Sequence, residues 1–147
     1  MDNFLPLIDY INRVVQLDQQ EEQTLLKLLS FRKLLKGQFF LQQGDICKFS
    51  GFVIKGCTKT FYVDDEGQEH VVMFSIEDWW TSDMGSFISQ KPADFNVQCL
   101  ENTELIYFSF EDQEQMLREI PKLERFFRII IERALVASQK RVVRNMS

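Results

Sequence analysis

Side chains suited to catalysis are scarce in this sequence. It holds one histidine, His70, and three cysteines, Cys47, Cys57 and Cys99, with no C-x-x-C spacing among them. A barrel-type metal oxygenase needs two or three histidines plus a carboxylate, so that class is excluded. A zinc knuckle or a disulfide framework needs paired cysteines, and an odd, sparse set suits a reducing cytoplasm instead. A cysteine nucleophile needs a base in space, and nothing in the spacing ties a thiol to His70. No P-loop or dinucleotide fingerprint is present. The expectation is a cytoplasmic binding protein, not an enzyme, with no catalytic residue and no metal. His70, just after a turn, reads as an ordinary strand residue.

Phosphate contact by basic residues is a second kind of chemistry, and here the charge is uneven. The formal net charge is −5. From residue 118 onward there are eight basic residues against three acidic ones, a net +5, which leaves about −10 for the rest. A basic C-terminal arm on an acidic body invites a nucleic-acid reading. The same charges serve equally as the solvated faces of a long helix.

Any such residues must be positioned by a fold that 147 residues and a mass of 17.5 kDa can build. That length is one domain, and it buries roughly two thirds of the unfolded surface. No apolar run reaches the roughly 20 residues of a membrane span, and the start is not a basic signal region.

The first 30 residues read as helical. Phe4, Leu5, Leu7, Ile8 and Ile11 recur at near-helical spacing, and Asp18 stands three before Glu21, a capping-box arrangement. From Phe31 the pattern changes to short apolar segments between Lys36-Gly37, Gln43-Gly44-Asp45, Lys55-Gly56 and Asp64-Asp65-Glu66-Gly67. This punctuation predicts a small antiparallel sandwich or barrel. Residues 58–63 and 69–76 flank a hairpin turn, and residues 104–110 form the last strand. Fourteen phenylalanines suit a barrel filled by large side chains.

After Phe110 the period returns to helix: a short one over residues 111–120, then a long one from Pro121 to about Arg144. Leu123, Phe127, Ile130, Ala134 and Ala137 step by 4, 3, 4 and 3, a heptad seam, and Phe126, Ile131, Leu135 and Val142 add a second apolar strip. Two apolar faces allow one to dock on the body and the other to pair with a second copy. The alternative is one wide face buried within a monomer.

Several segments in order carry a resemblance. Phe52-Val53-Ile54-Lys55-Gly56 ends a strand on glycine. Asp65-Glu66-Gly67-Gln68-Glu69 makes the next hairpin, and Glu77-Asp78-Trp79-Trp80 follows the third strand. A loop with a short helical piece over residues 81–90, a return strand over 95–100 and two helices complete the order. In this order and spacing, from Phe31 to the C-terminus, the chain resembles the cyclic-nucleotide-binding domain of the Crp/Fnr (catabolite-activator) superfamily of bacterial transcription regulators.

The resemblance implies an α+β fold: N-terminal helices, an antiparallel β jelly roll of the double-stranded β-helix type, then a short helix and a long dimerisation helix. Its divisions are residues 1–30 for the helical segment, 31–110 for the β-roll sensor core and 111–147 for the C-terminal helices. It implies a homodimer paired through the helix carrying Leu123, Phe127, Ile130, Ala134 and Ala137. DNA would be reached only through a winged helix-turn-helix module following this chain, so an excised sensor domain without specific DNA reading of its own is expected.

In that family a Gly-Glu pair opens a short helix whose N–H groups hold the cyclic phosphate, and an arginine before the return strand neutralises it. The Gly-Glu pair falls here at Thr81-Ser82, and the arginine with its following hydroxyl residue at Ala93-Asp94. Asp83 and Asp94 make the cassette acidic, and a like charge at ~4 Å costs about 1–4 kcal/mol. No arginine lies between Lys33 and Arg118. Cyclic AMP is therefore not expected to bind in the usual way. Trp79, Trp80, Met84, Phe87 and Phe95 either line an apolar pocket for another small effector or simply fill the space. The candidate pocket residues are thus Trp79, Trp80, Thr81, Ser82, Asp83, Met84, Ala93, Asp94 and Phe95. The alternative is an interaction domain that has lost its ligand.

Overall fold

The computed structural model describes residues 2–146. A single 3-10 turn leads into α1 (Leu5–Asn12) and α2 (Gln19–Leu26). Asp18 caps α2: its carboxylate accepts the Glu21 N–H at 2.8 Å, and the Glu21 carboxylate accepts the Asp18 N–H at 2.9 Å. The capping box expected from the Asp18–Glu21 spacing is therefore formed.

Eight strands follow. They are β1 (Ser30–Leu34), β2 (Phe39–Leu41), β3 (Phe49–Lys55), β4 (Thr58–Val63), β5 (Glu69–Ser75), β6 (Trp80–Thr81), β7 (Asn96–Cys99) and β8 (Thr103–Ser109). They form two antiparallel sheets, ordered β1-β8-β3-β6 and β2-β7-β4-β5. This is the expected roll. Its turns fall on glycines: Gly67 takes φ +81° at the β4–β5 hairpin. Gly56 takes φ +107°, and a Cβ there would meet Asn102 O at 2.7 Å and Thr103 Oγ1 at 2.6 Å. No side chain fits between β3 and β4 at that point.

The last strand ends one residue earlier than its apolar alternation suggests. Ser109 is the cap of α4 (Phe110–Glu119): its hydroxyl accepts the Asp112 N–H at 3.0 Å, and Phe110 becomes the first helical residue. Capping decides the boundary because it satisfies an amide that helix geometry leaves orphaned.

The long helix is α5 (Leu123–Met146). Leu123, Phe126 and Ile130 are buried against the body, and an aromatic cluster fastens this end. Trp80 of β6 lies 5.1 Å from Phe52, 6.1 Å from Phe108 and 6.2 Å from Phe126, ring centre to ring centre. Tyr10 of α1 closes it at 5.2 Å from Phe52 and 6.0 Å from Phe126. Lys122 adds a polar tie, bonding the Glu21 carboxylate at 2.8 Å and the Gln16 carbonyl at 2.7 Å.

Leu123 and Ile130 of the heptad seam seat α5 on its own roll, with Phe127 half-buried beside them. Phe126, expected in the second strip, docks too. At 100° per residue Phe126 falls on the arc of Leu123 and Ile130, which periodicity alone did not rank. Beyond Ile130 no residue of α5 is fully buried among the described residues. Ile131, Leu135 and Val142 of the second strip are exposed, as is Ala134, while Ala137 is half-buried. Among the described residues no helix is long and apolar enough to cross a membrane.

Candidate functional site

Trp79 precedes β6, Trp80 and Thr81 form it, and the segment joining β6 to β7 carries the other six candidate pocket residues. β6 pairs with β3, Trp80 opposite Phe52 and Thr81 opposite Gly51. The buried Thr81 hydroxyl meets the Thr58 hydroxyl of β4 at 2.8 Å, which links the two sheets. Ser82 is half-buried. Asp83 then caps α3 (Met84–Ser89).

Asp83 is 6% exposed. One carboxylate oxygen accepts the Ser86 N–H at 3.1 Å, and the other accepts the Asp94 N–H at 2.9 Å. The carboxylate therefore spans the cassette, from the first turn of α3 to the segment entering β7. The Ser86 hydroxyl accepts the Cys47 N–H at 2.9 Å and donates to the Lys91 carbonyl. Gln90 ends the helix in the left-handed region at φ +58°. Its side-chain amide donates to the Phe87 and Cys47 carbonyls. Ala93 is buried, its N–H bonded to the Asp45 carbonyl at 2.7 Å and its carbonyl to the Gly44 N–H at 2.8 Å.

The aromatic candidates separate. Trp79 is exposed, Trp80 sits in the aromatic cluster, and Phe87 is wholly buried in the core. Phe95 meets Tyr62 edge-on at 6.3 Å, and Met84 and Asp94 are exposed. These residues thus lie in different surroundings, with Phe87 packed in the core. A groove of about 760 Å³ opens elsewhere, along β2 and residues 44–49, and none of the nine candidate residues lines it. Two buried polar atoms lack partners among the described residues, Thr60 Oγ1 on β4 and Trp80 Nε1.

His70 lies on β5, as expected. Its Nε2 is 2.7 Å from an Asp64 carboxylate oxygen, and its ring stacks on Tyr62 at 4.7 Å. The other Asp64 oxygen accepts the Glu66 and Gln68 N–H groups, both at 2.9 Å. The His70 bond, then the Gln68 amide, hold the Asp64 carboxyl below its usual pKa. Burial, ahead of neighbouring carboxylates, pushes the Cys47 and Cys57 thiols up, and burial does the same for Cys99. That is the opposite of what a thiolate nucleophile requires.

The roles of Ser86, Gln90 and Asp64 escaped the sequence reading. Asp83-x-x-Ser86 has the spacing of a helix cap, and Asp64 ahead of Asp65-Glu66-Gly67 has that of an Asx turn, so both signals were local. The bonds from Ser86 to Cys47 and from Gln90 to Cys47 had no local signal.

Comparisons with known proteins agree with this architecture. The model of the cyclic nucleotide-binding domain matches residues 31–119. The transcriptional activator protein Anr of Pseudomonas protegens is 28% identical over 109 residues, covering 74% of this chain and 44% of the relative. Anr of Pseudomonas aeruginosa matches with the same identity and coverage. The chain thus spans less than half the length of these curated relatives. A cyclic nucleotide-binding domain from Methylobacillus flagellatus KT superposes with a TM-score of 0.82 at 14% identity, covering 98% of this chain and 84% of that one. The sensor domain of the regulator DNR from Pseudomonas aeruginosa gives 0.73 at 18% identity, covering 95% and 91%. The catabolite activator protein of Thermus thermophilus gives 0.74 at 20% identity, covering 87% and 60%.

Proposed function

Because this chain belongs to the cyclic nucleotide-binding domain family, we propose that it is the dimerising sensor domain of a Crp/Fnr-type transcription regulator whose cassette does not take a cyclic phosphate. The carrying observation is Asp83. Its carboxylate occupies the amides of Ser86 and Asp94 at 3.1 and 2.9 Å. An anion approaching those groups meets a buried negative charge and no arginine from the family position, which is Ala93 here. Isothermal titration with cyclic AMP and cyclic GMP to millimolar ligand tests the reading. No binding is expected, and micromolar binding overturns it.

Pairing is assigned to the far half of α5. Ile131, Leu135 and Val142 lie within about 40° of one another around the helix, and all three are exposed. A second copy of the same helix would bury them. The relatives named as transcriptional activators support a regulatory output, with DNA contacted by a module outside these residues.

A small effector of another class remains compatible with the unpartnered Thr60 and Trp80 groups, since a buried donor without a partner costs about 1–3 kcal/mol. The second reading is a domain that only mediates interaction, and the wholly buried Phe87 favours it. A thermal-shift screen separates the two, because a ligand at 100 times its dissociation constant adds about 2.7 kcal/mol.

A further inference from the structure

Among the described residues Asp83 is the one buried acidic side chain. It is a carboxylate 6% exposed, and among the described residues no lysine or arginine lies within 4.0 Å of it. A buried charge persists only when hydrogen bonds replace its water. Here two backbone amides do so, and they belong to different parts of one loop, eight residues apart in sequence. A second strap runs alongside: the Ser86 hydroxyl joins the same helix to Cys47 and to Lys91. The loop is closed by the chain's own atoms at both its start and its end.

We propose that Asp83 is a built-in latch whose two oxygens hold the β6–β7 cassette in one ordered conformation, so that this loop is locked instead of switched. The proposal rests on the reading that the cassette takes no cyclic phosphate. It adds what replaces the ligand: a side chain whose two oxygens bridge the helix and the return segment. Its role is positional, and it is separable from ordinary helix capping. A serine at position 83 keeps an acceptor for the Ser86 N–H but is too short and too poor in oxygens to reach the Asp94 N–H as well.

Residue-resolved amide hydrogen exchange on Asp83→Ser and Asp83→Ala tests this. In Asp83→Ser the Asp94 amide should exchange at least tenfold faster than in the wild type. The Ser86 amide and the core amides of β3 and β8 should stay within about twofold. In Asp83→Ala both the Ser86 and Asp94 amides should accelerate, and if that variant does not fold, Asp83→Ser alone carries the test. Unchanged protection of Asp94 in Asp83→Ser overturns the latch. So does uniform acceleration through β3 and β8, which would make Asp83 a global stabiliser. Failure of the functional reading is separate, since it appears as cyclic-nucleotide binding to the wild type and leaves these exchange rates unaltered.

Discussion

The β6–β7 cassette and the far half of α5 use their bonding capacity in opposite ways. In the cassette several polar groups are taken up internally. Asp83 holds two amides, Ser86 ties α3 to Cys47 and Lys91, and Ala93 is held on both sides by residues 44 and 45. In α5 beyond Ile130, apolar side chains stand exposed: Ile131 is 43% exposed, Leu135 58% and Val142 55%. The family resemblance draws attention to the cassette. The physical chemistry draws it to the helix, because open capacity is where a partner can still gain free energy. At the Ser86 and Asp94 amides an incoming ligand gains only exchange of one hydrogen bond for another.

The contrast has a boundary between Ile130 and Ile131, and the largest predicted effect tests it. Phe126→Ala should cost about 3–5 kcal/mol in denaturant unfolding, because the ring is wholly buried in the aromatic cluster. Leu135→Ala, measured at concentrations where the protein is monomeric, should change stability by no more than about 0.5 kcal/mol. Equal losses would erase the boundary.

Next in size is pairing itself. Leu135→Asp places a charge in the apolar strip and should weaken self-association by at least about 30-fold, or roughly 2 kcal/mol, in sedimentation equilibrium. A wild-type chain that stays monomeric at high micromolar concentration would remove the partner from the comparison.

A smaller effect probes how completely the interior is closed. Thr60→Val replaces a buried hydroxyl that has no partner by a methyl group of the same shape. Thermal unfolding should show a change between zero and about 1 kcal/mol of stabilisation. By contrast, Thr58→Val breaks the hydroxyl pair with Thr81 and should destabilise by about 1–3 kcal/mol. A destabilised Thr60→Val variant would mean that the hydroxyl already has a partner, such as a bound water.

The smallest concerns the hairpin tip. The Asp64 carboxyl is held below its ordinary value chiefly by His70. A carboxyl with a depressed folded pKa stabilises the fold above its unfolded value, about 3.9, and that stability is lost as pH falls through the folded value. Asp64→Asn should therefore flatten the fall in melting temperature below about pH 4. A wild-type acid limb as flat as the variant's would show that the tip contributes nothing.

Much of this was legible from residue order. The Asp18–Glu21 box, the glycine turns at residues 37, 44, 56 and 67, the β4–β5 hairpin and the long last helix all follow from local rules, and all are present. The cassette was located by analogy of order, and its acidity was visible in Asp83 and Asp94. Which of those acids mattered was not. Asp94 is exposed and contributes its backbone amide, whereas Asp83 is buried and contributes its side chain. The cap spacing of Asp83 and Ser86 is a local signal, but nothing local shows that the second Asp83 oxygen reaches the Asp94 amide.

The same limit governs α5. The sequence alone determines that a long helix follows Pro121 with apolar residues on more than one face, since periodicity and propensity act within a few turns. It does not determine which face docks. That depends on where Tyr10, Phe52, Trp80 and Phe108 converge, residues from three strands and another helix that only the closed roll brings within ring-contact distance. Local interactions fix the element. The choice of the buried arc is a sum over contacts distant in sequence, and it exists only once the chain has folded.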